Sequence, residues 1–322
     1  MAKMNTMQQG ATKPRRWRTC VVKTIAFAAC AVVVVEAALH VLHAVPEVVY
    51  EENPEVGFRL KPNQDTRFFG NRIRINRWGL RDPRPLDNKP DGVRRVLVLG
   101  DSVTWGGIQA QQEDLFTTRL EKALDNVEVV NAGVNGYSVA QMTALYRTRL
   151  EGLDPDLVVL FVIPGDFTRA PSTRLIRDSV AYPLSKPRFQ LPTALAMVPL
   201  TVFKLTGWGW LEPKPDAVPA RDWTDEEAVR ANIDAAVSLA TDLGCERVTV
   251  VVSPWLASPV NPPLPEEVAA AFNTAGVRWI DLNAVTRPEP DWFIDHIHLS
   301  PKGHAAVADT LAKHLPRRGT SE

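Results

Sequence analysis

The sequence lacks an excess of charge of either sign, and it is poor in cysteine. Its 322 residues contain 37 Lys and Arg against 37 Asp and Glu, and only 3 Cys. Because no net charge attracts a polyanion over long range, we do not expect nucleic acid as a partner. Cys20 and Cys30 lie in an N-terminal apolar stretch, which leaves Cys245 alone in the presumed globular part. No intradomain disulfide is therefore expected, and stability has to come from packing.

The sequence also lacks a cluster of histidine and cysteine with the spacing of a metal site. His296 and His298 are close in sequence, but two ligands without further clustered His or Cys are weak support for a metal. We therefore expect neither a metal nor another cofactor. The length and the 45% of hydrophobic residues suit one sizeable α/β domain with appendages.

The N-terminal segment combines basic residues with a long apolar run. The run extends from Thr24 to Val35, resumes after Glu36 and continues to Val45, and four basic residues precede it: Lys13, Arg15, Arg16 and Arg18. Its length is close to the ~20 residues that cross a bilayer as a helix. Glu36 costs roughly 3 kcal/mol near the middle of such a helix, which the surrounding Val, Ile, Phe and Leu side chains offset. The pattern predicts a basic cytoplasmic tail over 1–19 and a transmembrane anchor over 20–45.

A cleaved secretory signal is the alternative to the anchor. The uninterrupted part of the run has the length of a signal's apolar region, and Val35-Glu36-Ala37 loosely resembles a cleavage site. We favour the anchor. Both interpretations place everything after Pro46 outside the cytoplasm, in the periplasm or at the cell surface, because the basic tail stays inside. In the alternative the protein is secreted.

Residues 46–90 differ in pattern from the sequence that follows them. Short runs such as Gly57–Leu60 and Arg72–Asn76 are separated by turn signals, namely Asn53-Pro54, Lys61-Pro62-Asn63 and Trp78-Gly79. Short strands between turns are typical of a small β-rich unit. We predict such a collar here, joined to the main domain at Asn88–Gly92.

From Arg95 onward, strand-like apolar runs alternate with helical patterns. The predicted strands are Val96–Leu99, Val127–Val130, Leu157–Val162, Val248–Val252 and Val277–Ile280. The predicted helices are Glu113–Leu124, Val139–Leu150, Glu226–Leu243, Pro265–Ala275 and Pro301–Leu315. This alternation is typical of a parallel sheet covered on both faces. We therefore predict a three-layer α/β/α sandwich with a five-stranded parallel sheet over 91–318.

Residues 167–223 interrupt the alternation with a proline-rich segment and an apolar stretch, Leu191–Leu211. No further strand–helix unit is obvious there. Loops of this length in a compact domain are usually lids or binding loops. The segment is either a cap over the site or a packed peripheral insertion, and the sequence leaves both open.

The residues with the clearest chemical potential lie at the two ends of this domain. Ser102 follows the first predicted strand, at the sheet edge where ligands bind in open α/β folds. A serine at this place is also a common helix cap or turn residue. Near the C-terminus, Asp295 and His298 are three residues apart before the last helix. They could supply the base and the orienting carboxylate that a serine nucleophile needs, with His296 as the competing histidine.

Three motifs at the predicted strand ends resemble those of the GDSL or SGNH hydrolase family, whose sheet is flavodoxin-like. They are Gly100-Asp101-Ser102, the stretch Asn131-Ala132-Gly133-Val134-Asn135-Gly136, and Asp295-x-x-His298. The resemblance covers roughly Arg94 to the C-terminus. The collar is also similar to the leader of many bacterial envelope members, through the stretches 57–63 and 75–81.

The resemblance implies that Ser102 is the nucleophile and that backbone N–H groups of Ser102 and Gly136 hold the oxyanion. The family's third oxyanion donor is an Asn side chain in a Gly-x-Asn-Asp motif. Here the corresponding residues are Ile163-Pro164-Gly165-Asp166, so Gly165 occupies the place of that Asn. A backbone N–H at Gly165, or the side chain of Asn131 or Asn135, could replace the donor. Asp101, Asn135 and Asp166 are expected to support the site.

The expected function is a serine esterase that removes ester-linked acyl groups, by resemblance acetyl groups of envelope or extracellular polysaccharide. Lipid esters are the next candidate substrate. If an alcohol intercepts the acyl-enzyme instead of water, the same residues perform O-acyl transfer. The substitution at Gly165 motivates a third interpretation, a catalytically weakened glycan-binding or scaffold protein. Acyl length, alcohol partner and oligomeric state stay open.

Overall fold

The computed structural model describes residues 16–108, 110–171, 173–175, 179, 182–206, 217–219, 222–256 and 264–316. The expected basic tail therefore lies mostly outside the described residues, since only 16–19 of it belong to them. Trp17–Leu42 form an apolar helical stretch of 26 residues, long enough to cross a membrane. This length and composition suit a membrane span and a signal sequence alike. The whole helix, α1, extends over Arg16–Leu42.

Two antiparallel hairpins follow α1 and form the collar. The first pairs β1 (Tyr50–Asn53) with β2 (Gly57–Leu60), and the second pairs β3 (Gln64–Phe68) with β4 (Asn71–Ile75). Alternate side chains of these strands are buried, among them Phe58, Ile73 and Ile75. The collar thus packs one face of each hairpin into the same hydrophobic core as the main domain.

The main sheet has five parallel strands, which confirms the predicted fold class. In chain order they are β5 (Arg94–Gly100), β6 (Val127–Gly133), β7 (Leu157–Val162), β10 (Val248–Val252) and β11 (Arg278–Asp281). Their spatial order is β11-β10-β7-β5-β6. Numbered within the sheet, this is 2-1-3-4-5, the flavodoxin-like order. β7 and β10 have the predicted bounds, and β11 is shifted by one residue. β5 and β6 are two or three residues longer at an end than predicted, because their mutual pairing continues from Arg94–Val127 to Gly100–Gly133.

Helices cover both faces of the sheet. They are α2 (Ser102–Trp105), α3 (Phe116–Ala123), α4 (Val139–Leu145), α5 (Gly165–Thr168), α6 (Gln190–Thr206), α7 (Asp225–Leu243), α8 (Glu266–Ala275), α9 (Leu282–Val285) and α10 (Pro301–His314). One core cluster joins side chains of α4, α7 and α8 to one face, and another joins α3 and α10 to the other. The helix predicted over Val139–Leu150 changes at Tyr146 to a π-helical turn, Tyr146–Leu150.

The insertion over 167–223 contains more regular structure than the sequence indicated. Its described part includes the helix α6 and a short antiparallel pair, β8 (Thr173–Leu175) and β9 (Ala217–Pro219). The apolar stretch that begins at Leu191 forms most of this helix, a unit that was not obvious from the sequence. This helix contacts α1.

A buried arginine of the collar holds the segment that follows Ser102. Arg81 is fully buried and donates to the backbone carbonyls of Trp105 (2.8 Å), Gly107 (2.5 Å) and Ala110 (2.6 Å). Its guanidinium also lies over the Trp105 ring, 4.8 Å from the centroid. Burial lowers the pKa of Arg81 to about 9, so it stays cationic at neutral pH. The collar is thereby tied to the turn next to the candidate nucleophile.

A buried histidine, His304, lies between α10 and α3 in its neutral form. It is fully buried, and its Nδ1 accepts the Phe116 N–H at 3.2 Å. Because Nδ1 is the acceptor, Nε2 carries the proton. Burial, and then the nearby positive charges of Arg81 and Arg119, lower the pKa of His304 to about 3.

His304 is expected to make stability depend on pH. The unfolded chain binds a proton at this histidine below about pH 6.5 and the folded chain only near 3, so stability falls as the pH drops through this interval. We predict that His304→Asn, which keeps an acceptor for Phe116, lowers the slope of the unfolding free energy by about 1.4 kcal/mol per pH unit between pH 6 and 4.5.

The measurement is urea denaturation of the full chain in mild detergent, followed by tryptophan fluorescence. His314→Asn removes an exposed histidine from the same helix and is the control, with an unchanged slope. If the unfolding free energy has the same pH dependence in the native protein and in His304→Asn, His304 is not the source of the predicted slope.

Candidate active site

Ser102 begins helix α2 directly at the carboxyl end of β5. The Asp101 side chain caps this helix by accepting the Val103 N–H at 2.8 Å. The turn needs small residues beneath it, because a Cβ on Gly133 of the neighbouring strand would lie 2.2 Å from the Trp105 backbone nitrogen. The fold therefore presents the Ser102 hydroxyl at the edge of the sheet, where part of it is exposed.

The segment before α10 carries Asp295 and His298 in a tight turn. One carboxylate oxygen of Asp295 accepts the backbone N–H groups of Ile297 (2.9 Å) and His298 (2.8 Å). The Ile294 N–H in turn donates to the His298 carbonyl, and Phe293 and Leu299 form an isolated antiparallel β-bridge. These hydrogen bonds hold the turn in a shape in which the Asp295 carboxylate and the His298 imidazole lie close to each other.

Ser102, His298 and Asp295 form a continuous hydrogen-bonded line. The Ser102 Oγ lies 2.8 Å from His298 Nε2, and His298 Nδ1 lies 2.6 Å from the second carboxylate oxygen of Asp295. Partial burial raises the pKa of Asp295, but the hydrogen bond and charge of His298 and the two backbone N–H groups outweigh it. The pKa of Asp295 therefore lies well below its ordinary value, and the group stays ionised. Such a line can remove a proton from a serine hydroxyl.

The competing histidine, His296, does not take part in this line. Its side chain is exposed, and its backbone carbonyl accepts the Leu256 N–H at 3.0 Å. Among the described residues no group of three or more His, Cys, Asp or Glu is placed to hold a metal ion.

Gly136 lies in the turn after β6, and Asn131 lies within β6. Gly136 has a φ of +75°, a conformation that favours glycine. Asn131 is buried, its amide donates to the Thr104 carbonyl at 2.7 Å, and its oxygen accepts the Gly133 N–H. The expectation that Asn131 could replace a missing oxyanion donor was therefore wrong. Its polar groups already stabilise the turn.

Asn135 and the insertion residue Tyr182 border the same glycine. The Asn135 Oδ1 is buried with no partner among the described residues. A Cβ on Gly136 would lie 2.5 Å from the Tyr182 hydroxyl oxygen. The Tyr182 ring packs edge-on against Tyr50 and Phe58. The collar and the insertion thus close one side of this block.

The block after β7 contains Gly165, Asp166 and an arginine that the sequence did not single out. The Arg169 Nη1 donates to Asp166 Oδ1 at 2.6 Å and to the Tyr137 carbonyl at 2.5 Å, and it lies 4.0 Å from Asp101. Arg169 therefore connects the turn after β7 to the turn that carries Gly136. Within the part of the chain that the structure describes, the space around Gly165 is open: the only atom within 4 Å of a Cβ there is the Ile163 Cδ1, at 3.8 Å.

Two buried carboxylates share the positive charge of Arg169. Asp166 is fully buried, and its other oxygen accepts the Ile163 N–H at 3.0 Å. Burial, and then the neighbouring Asp101, raise the pKa of Asp166 well above its ordinary value, while Arg169 opposes the rise. The pKa of Arg169 is raised in turn, because the two carboxylates outweigh the effect of its burial. The turns that carry the candidate site residues are therefore held by electrostatic attraction as well as by hydrogen bonds.

The known proteins that resemble this chain are acylhydrolases of low sequence identity. The family model for GDSL-like lipases and acylhydrolases matches residues 98–306. No curated protein matches in sequence. The lipase/acylhydrolase from Enterococcus faecalis is 15% identical, with a TM-score of 0.42, over 71% of this chain and 100% of its own.

A Geobacillus acetyl-xylooligosaccharide esterase is 13% identical, with a TM-score of 0.41, over 73% of this chain and 100% of its own. A lipolytic protein from Desulfitobacterium hafniense is 14% identical, with a TM-score of 0.40, over 68% of this chain and 98% of its own. The family match spans more than half of the chain and includes Ser102, Asp295 and His298. The chain belongs to the GDSL-like lipase/acylhydrolase family.

Proposed function

We propose that the protein is a serine esterase in which Ser102, His298 and Asp295 form the catalytic triad. The observation that carries the proposal is the line of two short contacts, 2.8 Å from Ser102 Oγ to His298 Nε2 and 2.6 Å from His298 Nδ1 to Asp295. The family supplies the reaction class, an attack on an acyl ester. The triad assignment rests on this chain's own geometry.

In the proposed mechanism His298 takes the Ser102 proton as Ser102 Oγ attacks the ester carbonyl. The tetrahedral intermediate collapses when His298 returns this proton to the leaving alcohol, and an acyl-enzyme remains. Water, deprotonated by His298, then attacks the acyl carbon and releases the acid. Asp295 keeps the imidazole in the tautomer with the proton on Nδ1 and stabilises its cationic form.

The oxyanion is proposed to bind the backbone N–H groups of Ser102 and Gly136. Gly165 offers no side-chain amide at the place of the family's third donor, the Asn side chain. Asp101, Asp166 and Arg169 act as positioning residues, since their mutual contacts hold the turns that carry these groups. Asn135 is proposed to support the turn that carries Gly136.

The proposed substrate is a short acyl ester, such as an acetyl group on a glycan outside the cytoplasm. Tyr182, Tyr50 and Phe58 crowd the side of the site at Gly136, which favours a small acyl group there. The retained anchor α1 is proposed to place the domain on the outer side of the membrane, because the basic residues precede the apolar helix.

We predict that a fluorophosphonate probe labels the full chain and that Ser102→Ala abolishes both labelling and hydrolysis of p-nitrophenyl acetate. The probe reacts only with a hydroxyl that a neighbouring base activates, so labelling reports the triad directly. Ser238→Ala, on the exposed face of α7, is the matched control and keeps both signals. Labelling and hydrolysis are measured in detergent-solubilised protein.

Absence of labelling in well-folded protein would contradict the esterase and favour a glycan-binding role. An octanoyl ester hydrolysed faster than the acetyl ester would contradict the short acyl group. A sugar acceptor that turns the product from free acid into a new ester would assign the protein as an O-acyltransferase.

We predict that Gly165→Asn raises kcat for the acetyl ester about tenfold to a hundredfold, because one lost oxyanion donor costs about 10²–10³ in rate. The open space at the Gly165 Cβ position allows the larger side chain. Gly165→Ala is the control, since it fills the same space without an amide, and it is expected to give no gain. Equal rates for the two variants would mean that a third donor is already present.

A further inference from the structure

The insertion helix α6 is attached to the anchor helix through one carboxylate. The two Glu36 oxygens accept the backbone N–H groups of Gln190, at 2.6 Å, and Leu191, at 2.8 Å. These are the first two residues of α6, and their N–H groups have no partner within the helix itself. His40, one turn later on α1, lies 3.0 Å from the same carboxylate. Glu36 therefore caps α6 from within the apolar helix.

The depth of Glu36 along α1 determines where α6 starts. Glu36 lies six residues before Leu42, the last residue of α1, which is about 9 Å at 1.5 Å per residue. A hydrocarbon core is about 30 Å thick, so this position lies inside the outer half of a bilayer that α1 spans. Acidic side chains at such depths are rare and require partners. The partner here is the positive end of α6, which places the start of α6 at the same depth.

The composition and exposure of α6 suit lipid rather than water. No charged residue occurs from Leu191 to Phe203. Leu195 is 63% exposed and Val198 is 52% exposed, and Phe189, just before the helix, is 60% exposed. Contiguous exposed apolar side chains of this kind indicate a surface that something else covers.

The start of α6 is held rigidly. Gln190 is fully buried, and its amide donates to the Glu47 side chain at 3.1 Å. Lys186 donates to the same carboxylate at 3.2 Å. The helix is therefore fixed both to α1 and to the segment that follows α1.

The tip of the second collar hairpin adds a further apolar side chain at the end of α1. The Phe69 N–H donates to the His43 carbonyl at 3.1 Å, and the Phe69 side chain is 61% exposed. An exposed aromatic residue at the exit of a membrane helix suits the interfacial zone, where aromatic rings concentrate.

We propose that α6 and Phe69 form a membrane-docking surface, with α6 embedded in the outer half of the bilayer that α1 spans. The occupant of the exposed face of α6 is the acyl chains of phospholipids, because this face continues the lipid-facing surface of α1. Docking fixes the height and the tilt of the domain above the membrane. The proposal rests on the proposed anchor and is independent of the esterase chemistry.

The test uses the full chain with its three cysteines replaced by serine, reconstituted into vesicles of phosphatidylethanolamine and phosphatidylglycerol. An environment-sensitive fluorophore is attached at one introduced cysteine: Leu195→Cys on α6, Val34→Cys on α1, or Ser238→Cys on the exposed face of α7. Quenching by lipids that carry a spin label on the acyl chain is then measured. We expect strong quenching at positions 195 and 34 and none at 238.

Quenching at 34 without quenching at 195 would overturn the docking proposal while the anchor stands. Emission at 195 that shifts to the blue without lipid quenching would also overturn it, since a second copy or another protein surface then covers α6. Absence of quenching at both positions would contradict both the proposed anchor and the proposed docking surface. Fluorophosphonate labelling of the same samples reports the esterase separately.

The role of Glu36 is tested by Glu36→Leu and Glu36→Gln, each prepared with the fluorophore at position 195 and, in a separate sample, at position 34. Leucine strengthens the apolar character of α1 but accepts no hydrogen bond, and we expect it to lose most of the quenching at 195 while quenching at 34 persists. Glutamine keeps one oxygen that can accept a backbone N–H, and we expect it to retain most of the signal. Unchanged quenching in Glu36→Leu would overturn Glu36 as the attachment of α6.

Discussion

The strand order of the parallel sheet determines where each candidate catalytic group has to come from. β5 lies between β6 and β7, so the turns with Ser102, Gly136 and Gly165 meet at one edge without long connections. The segment with Asp295 and His298 follows β11, which is three strands from β5, or about 14 Å at ~4.8 Å per strand. The chain after β11 therefore has to return across the sheet edge. Packing of α10 against α3 and the turn around Asp295 hold it there.

How much the sequence predicted depends on whether the interaction is local. The five strands follow from short apolar runs, and the meeting of Asp295 with His298 follows from their spacing in one turn. Arg169 could not be found this way, because its contact with Tyr137 depends on the packing of two separate turns. For the same reason the sequence did not reveal that the Asn131 amide is used in a contact with the Thr104 carbonyl of α2. Helix α6 was missed because its contact with α1 joins residues that are 154 apart.

The collar is more than a spacer between α1 and the sheet. Arg81 donates to three carbonyls of the segment after Ser102, and the Tyr137 hydroxyl, next to Gly136, donates to the Phe58 carbonyl of the collar. Removing the Arg81 guanidinium would leave its three carbonyl acceptors unpaired, at about 1–3 kcal/mol for each group. The energetic coupling between collar and site is therefore large relative to the stability of a typical domain, about 5–15 kcal/mol. The geometry around Ser102 depends on residues that a minimal α/β domain would not contain.

Glu36 joins the proposed membrane helix α1 to the insertion helix α6. A carboxylate near the centre of a spanning helix costs roughly 3 kcal/mol. Hydrogen bonds to a charged group contribute about 1.5–3 kcal/mol each, so the N–H groups of Gln190 and Leu191 together are sufficient to offset that cost. Cleavage of a signal after Ala37 would remove Glu36 and leave the first N–H groups of α6 without their acceptor. The contact that makes an acidic residue tolerable in α1 thus favours a retained anchor over a cleaved signal.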